Sequence, residues 1–349
     1  MNLNKQKIII YLLIISFVLL IANVVVDQFF KKEPGHVQEK LSSISPSEVN
    51  DIFTSIIDEF GIEKAWINKK ELRNEDPDSV ACIYKIRIPA DLPVTVVLNE
   101  LNARFINNNL RITSKESRKE KTTYLKILSG KTAFLQADFV TDPLLARHAS
   151  SLGFLINNIE KLSQSELEAF LSLPESFSLI IVPSEKGEAI EKKVKESGRE
   201  YTVLLNDKID EVRFKLNEDY SEKRLKASIR SILGAFNESR LYMIDDVSDL
   251  YKSSVYPTVK TEFERRKMAL IPLNSFVEIK GKDNQDLQSI FRFYCESNSN
   301  PEGKVFLINA HDYLELKGML ELYRKKGYKF VSPSSLKFGM QKPTVTEKS

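Results

Sequence analysis

The sequence predicts an α/β protein in which a distorted or seven-unit β/α barrel follows a small α+β domain and an N-terminal transmembrane helix. Three observations predict it. An uncharged apolar run fills residues 8–26, too long for an ordinary core helix and long enough to span hydrocarbon. Residues 45–142 then show two amphipathic helical stretches among strands that alternate apolar and polar positions. From 143 to 338 the rhythm changes to short, wholly apolar runs separated by helical patterns, as in a buried parallel sheet. Roughly 190 residues is short for eight β/α units, so seven or a distorted set fits better.

Composition narrows the function. A formal charge of +3 over 349 residues argues against a dedicated nucleic-acid surface. Two cysteines far apart, Cys82 and Cys295, give no disulfide framework or thiolate metal site and read as small buried hydrophobes. Three histidines leave little material for a histidine-rich metal centre.

Taken in order, residues 1–7 form a short leader with Lys5 and Lys7. Ile8–Val26 would span about 28 Å as a helix. No small-residue cleavage site follows the run, so it reads as an uncleaved signal anchor. The bulk of the chain is then expected outside the cytoplasmic membrane, on the periplasmic side. Residues 27–44 form a polar linker with Pro34 and Gly35. Ser45-Pro46-Ser47-Glu48 is a capping box that opens a helix, and Gly61 suits its end. Strands are expected at 64–68, 80–88, 110–114, 122–128 and 131–139, with a second helix from Pro93 and a tight turn at Ser129-Gly130. Lys115, Arg118, Lys119 and Lys121 cluster in this domain, either as a solvated strand edge or as a contact for an anionic glycan.

In the barrel, strands are expected at 152–156, 177–182, 201–205, 240–244, 305–308 and 328–331, with 269–279 giving one strand or two. Helices are expected after the capping box Ser163–Glu166, over 187–197 and over 313–326. Several strands end in polar groups: Asn157-Asn158, Ser184, Asn206-Asp207, Asp245-Asp246, Asn274 and His311-Asp312. Strand C-termini are where barrel chemistry sits, although the same residue types also cap the next helix. His311 follows Val-Phe-Leu-Ile-Asn-Ala and is expected at a strand end rather than on a helix face. The paired amides are informative, because a neutral amide is neither a proton-accepting base nor an anionic metal ligand.

The order of these features resembles the divergent polysaccharide deacetylase family, relatives of the NodB-like carbohydrate esterases. Ser151–Asn158 looks like the family's first strand, which ends in Ile-Asp-Asp. Phe177–Ser184 resembles its second strand, and Ser197-Gly198-Arg199-Glu200 with the strand after it resembles a Gly-Arg-Glu segment that precedes a histidine. Ile308–Asp312, with Tyr328–Leu336 behind it, resembles the closing Gly-His-Pro strand and its Val-Pro-x-Ser-x-Leu end. The resemblance implies a NodB-like barrel, a divalent metal such as zinc, and a carbohydrate substrate. It breaks at the chemistry: Asn157 and Asn158 stand where the family has aspartates, and Asn206 where it has a histidine. Asp245-Asp246-Val247-Ser248-Asp249 replaces a segment that carries another histidine.

The expectation is therefore a membrane-anchored, extracytoplasmic deacetylase-like protein without catalysis, cofactor or metal, which binds a cell-envelope glycan or envelope protein. The vestigial cleft would comprise Asn157, Asn158, Asn206, Asp207, Asp245, Asp246, His311 and Asp312. One alternative is an active metal-dependent deacetylase with a rebuilt site, its zinc or other divalent ion falling to Asp246 and His311. The other is a structural envelope-assembly component. Residues 339–349 read as a polar tail.

Overall fold

The computed structural model describes residues 44–71, 82–147, 150–297 and 303–336. The chain divides into two compact units. The first takes in residues up to 56, 65–87 and 94–141; the second takes in 57–64, 88–93 and everything from 142 onward. The leader, the apolar run at 8–26, nearly all of the linker and the polar tail lie outside the described residues. Among the described residues no helix is long and apolar enough to cross a membrane.

The first unit is organised by helix α1 (Pro46–Glu59), α2 (Val94–Phe105) and a five-stranded sheet of β1 (Ile67–Glu71), β2 (Cys82–Pro89), β3 (Arg111–Ser117), β4 (Thr122–Ser129) and β5 (Thr132–Asp142), in the order β1-β2-β5-β4-β3. The capping box forms: the Ser45 amide donates to Glu48 at 2.7 Å and the Glu48 amide to Ser45 Oγ at 3.3 Å. The Ser45 amide and hydroxyl, both donating to the Glu48 carboxylate, hold it below the usual carboxylate range. Gly61, at φ +66°, follows the helix. Strand alternation gives the sheet one buried face, with Tyr84, Ile86, Leu125, Ile127, Leu135, Ala137 and Phe139. Phe53 of α1 packs on that face, 5.0 Å from Tyr84 and 6.4 Å from Phe139 between ring centroids. Two details differ from the sequence reading. Residues 64–66 wind as a short 3₁₀ turn before β1, and the β4–β5 turn is Gly130-Lys131, because Ser129 still pairs with Thr132.

The second unit is an α/β fold with a curled parallel sheet of half-barrel form. Its strands are β6 (Ser151–Asn157), β7 (Ser178–Ile181), β8 (Glu200–Leu205), β9 (Leu241–Ile244), β10 (Leu270–Pro272), β11 (Val277–Ile279), β12 (Lys304–Asn309) and β13 (Lys329–Phe330). The order is β10-β9-β8-β7-β6-β12-β11, with β13 added beside β6, and the pairs are parallel. The 269–279 stretch is thus two strands, and they form the two opposite edges of this sheet. Only residues 273–276 join them. Six strand spacings in a flat sheet would separate the edges by about 29 Å. Five residue steps reach roughly 17 Å. The sheet has to curl.

Curling sorts the strand residues into two sets. Leu155, Ile180, Leu204, Met243, Leu307 and Phe276 form a small inner cluster. The alternate positions, including Phe154, Leu179, Val203, Tyr242 and Phe306, face the helices. Those helices are α3 (Gln164–Leu171), α4 (Glu185–Glu196), α5 (Glu222–Ala235), α6 (Asp249–Lys252), α7 (Tyr256–Glu264), α8 (Asn284–Glu296), α9 (Ala310–Glu315) and α10 (Lys317–Lys325). The sequence reading did not name α5 to α8, and it ran α9 and α10 together; they break at Leu316, fully buried with ψ near 0°.

At the amino-terminal end of the strands, Arg199 gathers the loop after α3. Its guanidinium donates to the carbonyls of Leu171 (3.2 Å), Leu173 and Glu175, and lies 4.6 Å from the Phe177 ring centroid. The Glu175 carboxylate in turn pairs with Arg324 of α10. Next to Arg199, Glu200 accepts from the Ser334 hydroxyl, which ties β8 to the closing segment. That segment lies against Gly153 of β6, where an added Cβ would come 3.2 Å from Pro333 Cα and from Leu336 Cδ1. Gly153 shares the inner face with Leu155, so the Pro333–Leu336 segment occupies the lower interior of the curl.

Two measurements follow. Arg199→Ala should destabilise the second unit by about 3 kcal/mol or more, and Arg199→Lys by nearly as much, because an ammonium cannot reach three divergent carbonyls and stack on Phe177. Denaturant midpoints followed by tyrosine fluorescence would read both. Burial pushes the Cys295 thiol up to about 12, while the half-buried Cys82 is raised less strongly by the same cause. At pH 8 a thiol reagent should therefore label Cys82 first and reach Cys295 only on unfolding.

Candidate functional site

Because the pairs are parallel, every strand of the second unit presents its carboxyl end on one side. The polar groups singled out by sequence gather there in two sets with separate partners. In the first, Asn157 of β6 lies in register with Asn309 of β12. Asn157 Oδ1 accepts from the Asn158 amide at 2.8 Å. Asn158 sits at φ +58°, a left-handed conformation that asparagine tolerates better than most residues. That geometry aims its Nδ2 at Asn309 Oδ1, and Asn309 Nδ2 donates to Asp312 Oδ2 at 3.3 Å. The sequence reading missed Asn309; its signal was present, as the residue that ends an apolar strand just before His311.

The second set sits at the ends of β8, β9 and β10. Asn206 is buried, 5% exposed, and its Oδ1 accepts from the Lys208 amide at 3.0 Å. Asp207 reaches across to α6, where its two oxygens accept from the Asp249 amide (2.6 Å) and the Leu250 amide (2.9 Å). Asp245 folds its own turn, accepting from the Val247 amide at 3.2 Å. Asp246 accepts from the Asn274 amide at 3.0 Å and so pins the connector that joins the two sheet edges. Ser184 caps α4 by accepting from the Gly187 amide at 2.9 Å. Each of these groups satisfies a backbone donor that would otherwise be unpaired.

His311 is the correction. β12 ends at Asn309, so His311 lies in the first turn of α9, not at the strand end. Its side chain is 83% exposed, and Nε2 stands 4.0 Å from Glu315 Oε1, one turn along the same helix. Asp312, on the same turn, answers Asn309. No hydrogen bond or ion pair joins His311 to Asp246 among the described residues.

A divalent ion of the kind the resemblance implies needs convergent anionic or imidazole donors. Among the described residues no group of three His, Cys, Asp or Glu side chains could hold a metal ion. The donors present are amides engaged with one another and carboxylates engaged with backbone amides, so these residues do not fit the group.

No protein-family model matches the chain, and no curated protein matches it. Solved structures do. The chain is similar to a CE4 family pseudoenzyme from Bacillus anthracis, at 12% identity over 65% of this chain and 89% of that one, with a TM-score of 0.37. It is similar to a mutant of that pseudoenzyme with restored enzymatic activity, at 14% identity over 65% and 80%, with a TM-score of 0.38. It is also similar to a peptidoglycan N-acetylglucosamine deacetylase, at 15% identity over 54% and 88%, with a TM-score of 0.37.

Proposed function

We propose that this chain is a divergent polysaccharide deacetylase-like protein that performs no deacetylation and serves as a binding protein of the cell envelope. In this reading residues 8–26 anchor it and both units lie on the periplasmic side, where the barrel mouth or the first unit meets an envelope glycan or an envelope protein. The observation that carries the reading is the state of the strand ends. Metal-dependent deacetylation asks for an ion that polarises the acetamide carbonyl and activates water, and for a carboxylate that takes the proton. At this mouth Asn157, Asn158 and Asn206 are uncharged, while Asp207, Asp245 and Asp246 each accept from a backbone amide. His311 points to solvent. A rebuilt site on Asp246 and His311 finds no support in their placement.

Two experiments test this. Purified protein incubated with zinc and desalted should carry far less than one metal ion per chain by elemental analysis, and His311→Ala should change nothing. Near one ion per chain, lost in His311→Ala, would restore the hydrolase reading. The second measures stability. A carboxylate held for chemistry is commonly a liability to stability, whereas one held as a cap contributes to it. Asp207→Ala should cost about 1–2 kcal/mol in denaturant unfolding. A variant as stable as the parent or more so would mark Asp207 as a functional carboxylate instead.

A further inference from the structure

The sheet of the first unit has a second face, and its charge is one-sided. Residues that alternate with the buried set point away from α1: Lys85 and Arg87 on β2, Lys126 on β4, and Lys70 on β1, which sits opposite Ile83. On β3, Arg111 and Lys115 lie in register with Leu128 and Tyr124 and share their face. The register places Asp138 of β5 opposite Tyr124, on that same face. Six cations therefore face two carboxylates, Asp138 and Glu120, the latter accepting from the Tyr124 hydroxyl. Lys70, Lys85, Lys126, Arg111 and Lys115 make no ion pair with any described residue, although Lys85 lies in the field of Asp138. Arg87 donates to the Ala65 carbonyl at 3.3 Å, which holds its guanidinium beside an open cavity of about 560 Å³ shared with Asn68 and Lys85.

Strand geometry spaces neighbouring cations at about 7 Å along β2 and on the diagonals of the β1–β2 and β3–β4 pairs, while β5 separates these two sets by about 10 Å. Like charges gathered on one face repel one another, and a polymer of opposite charge relieves that repulsion. A charged edge strand protects against aggregation, but Lys85, Arg87 and Lys126 lie on interior strands where that role does not apply. The face has one exposed aromatic ring, Tyr124, 37% exposed. Single-stranded nucleic acid is held by successive stacking rings as well as by charge, so this face suits a polymer without bases.

We infer that the uncovered face of the first unit binds a linear polyanion whose monoanionic carboxylate or phosphate groups repeat along a flexible, non-aromatic chain. Lys70, Lys85 and Arg87 hold one stretch of it and Lys126, Arg111 and Lys115 the next. The inference does not depend on the barrel.

Calorimetric titration of the full-length chain with polygalacturonate and with inorganic polyphosphate tests it and tells the carboxylate source from the phosphate source. Saturable binding to either, which weakens steeply as salt rises, is the expected result. Lys85→Glu with Lys126→Glu should reduce affinity about tenfold or more. Lys223→Glu, an exposed change on α5, should leave it unaltered. Circular dichroism melts would show that the double variant still folds. Absence of binding to both polymers would overturn the inference, as would equal affinity in the double variant. Tenfold tighter binding to single-stranded DNA or to anionic lipid vesicles would overturn it in favour of those partners.

Discussion

The second unit depends on what Arg199 does beneath the sheet. The loop from α3 to β7 turns back with three carbonyls pointing inward, and a buried carbonyl without a donor costs as much as a lost hydrogen bond. One guanidinium meets all three and lies over the Phe177 ring. Phe177 in turn meets Phe170 at 5.1 Å and Tyr313 at 5.8 Å, and Tyr313 packs edge-on to Phe154 of β6. From one side chain the constraint runs through β7 and β8 to the central strand and to α9. Glu175, in the same loop, is held by Arg324, so α10 closes onto the same junction.

That arrangement accounts for two of the stretches that carry the family resemblance. The Gly-Arg-Glu segment and the closing Pro333–Leu336 segment are neighbours in the structure, because Glu200 accepts from Ser334. Both belong to the amino-terminal end of the strands, where residues of a barrel bear on stability rather than chemistry. Gly153 belongs with them, because a side chain there would meet Pro333 and Leu336. The resemblance is legible because it is carried by the scaffold.

Legibility elsewhere follows the same physics. Helices with a reciprocal cap, at Ser45 and Ser163, and strands of unbroken apolar residues, such as β6, could be read to within a residue or two because the local signal and the tertiary role agree. The 269–279 stretch could not, since membership of opposite sheet edges is a property of curvature, not of local pattern. His311 was misplaced for a related reason. A strand and the helix that follows it share an apolar run, and only the helical turn that starts at Ala310 decides where the histidine points. The site residues were correctly gathered at one end by strand order, but their hydrogen-bond partners were set by loops that carry no periodicity.

The amides at the mouth have a physical logic of their own. Two aspartates at 157 and 158 would offer only acceptors when ionised, and Asn309 Oδ1 beside them is an acceptor too; such a mouth needs a cation or bound protons. An amide at 158 supplies the missing donor. Asn158 Nδ2 gives to Asn309 Oδ1 and Asn309 Nδ2 gives to Asp312, so the chain of groups closes on itself with one carboxylate at its end. Asn206 and Asp207 do the equivalent on the other side of the mouth by turning to backbone amides. Asn158, Asn309 and Asp312 thus form a network that is satisfied without an ion, while Asp246 holds the connector between the two sheet edges at β10 and β11.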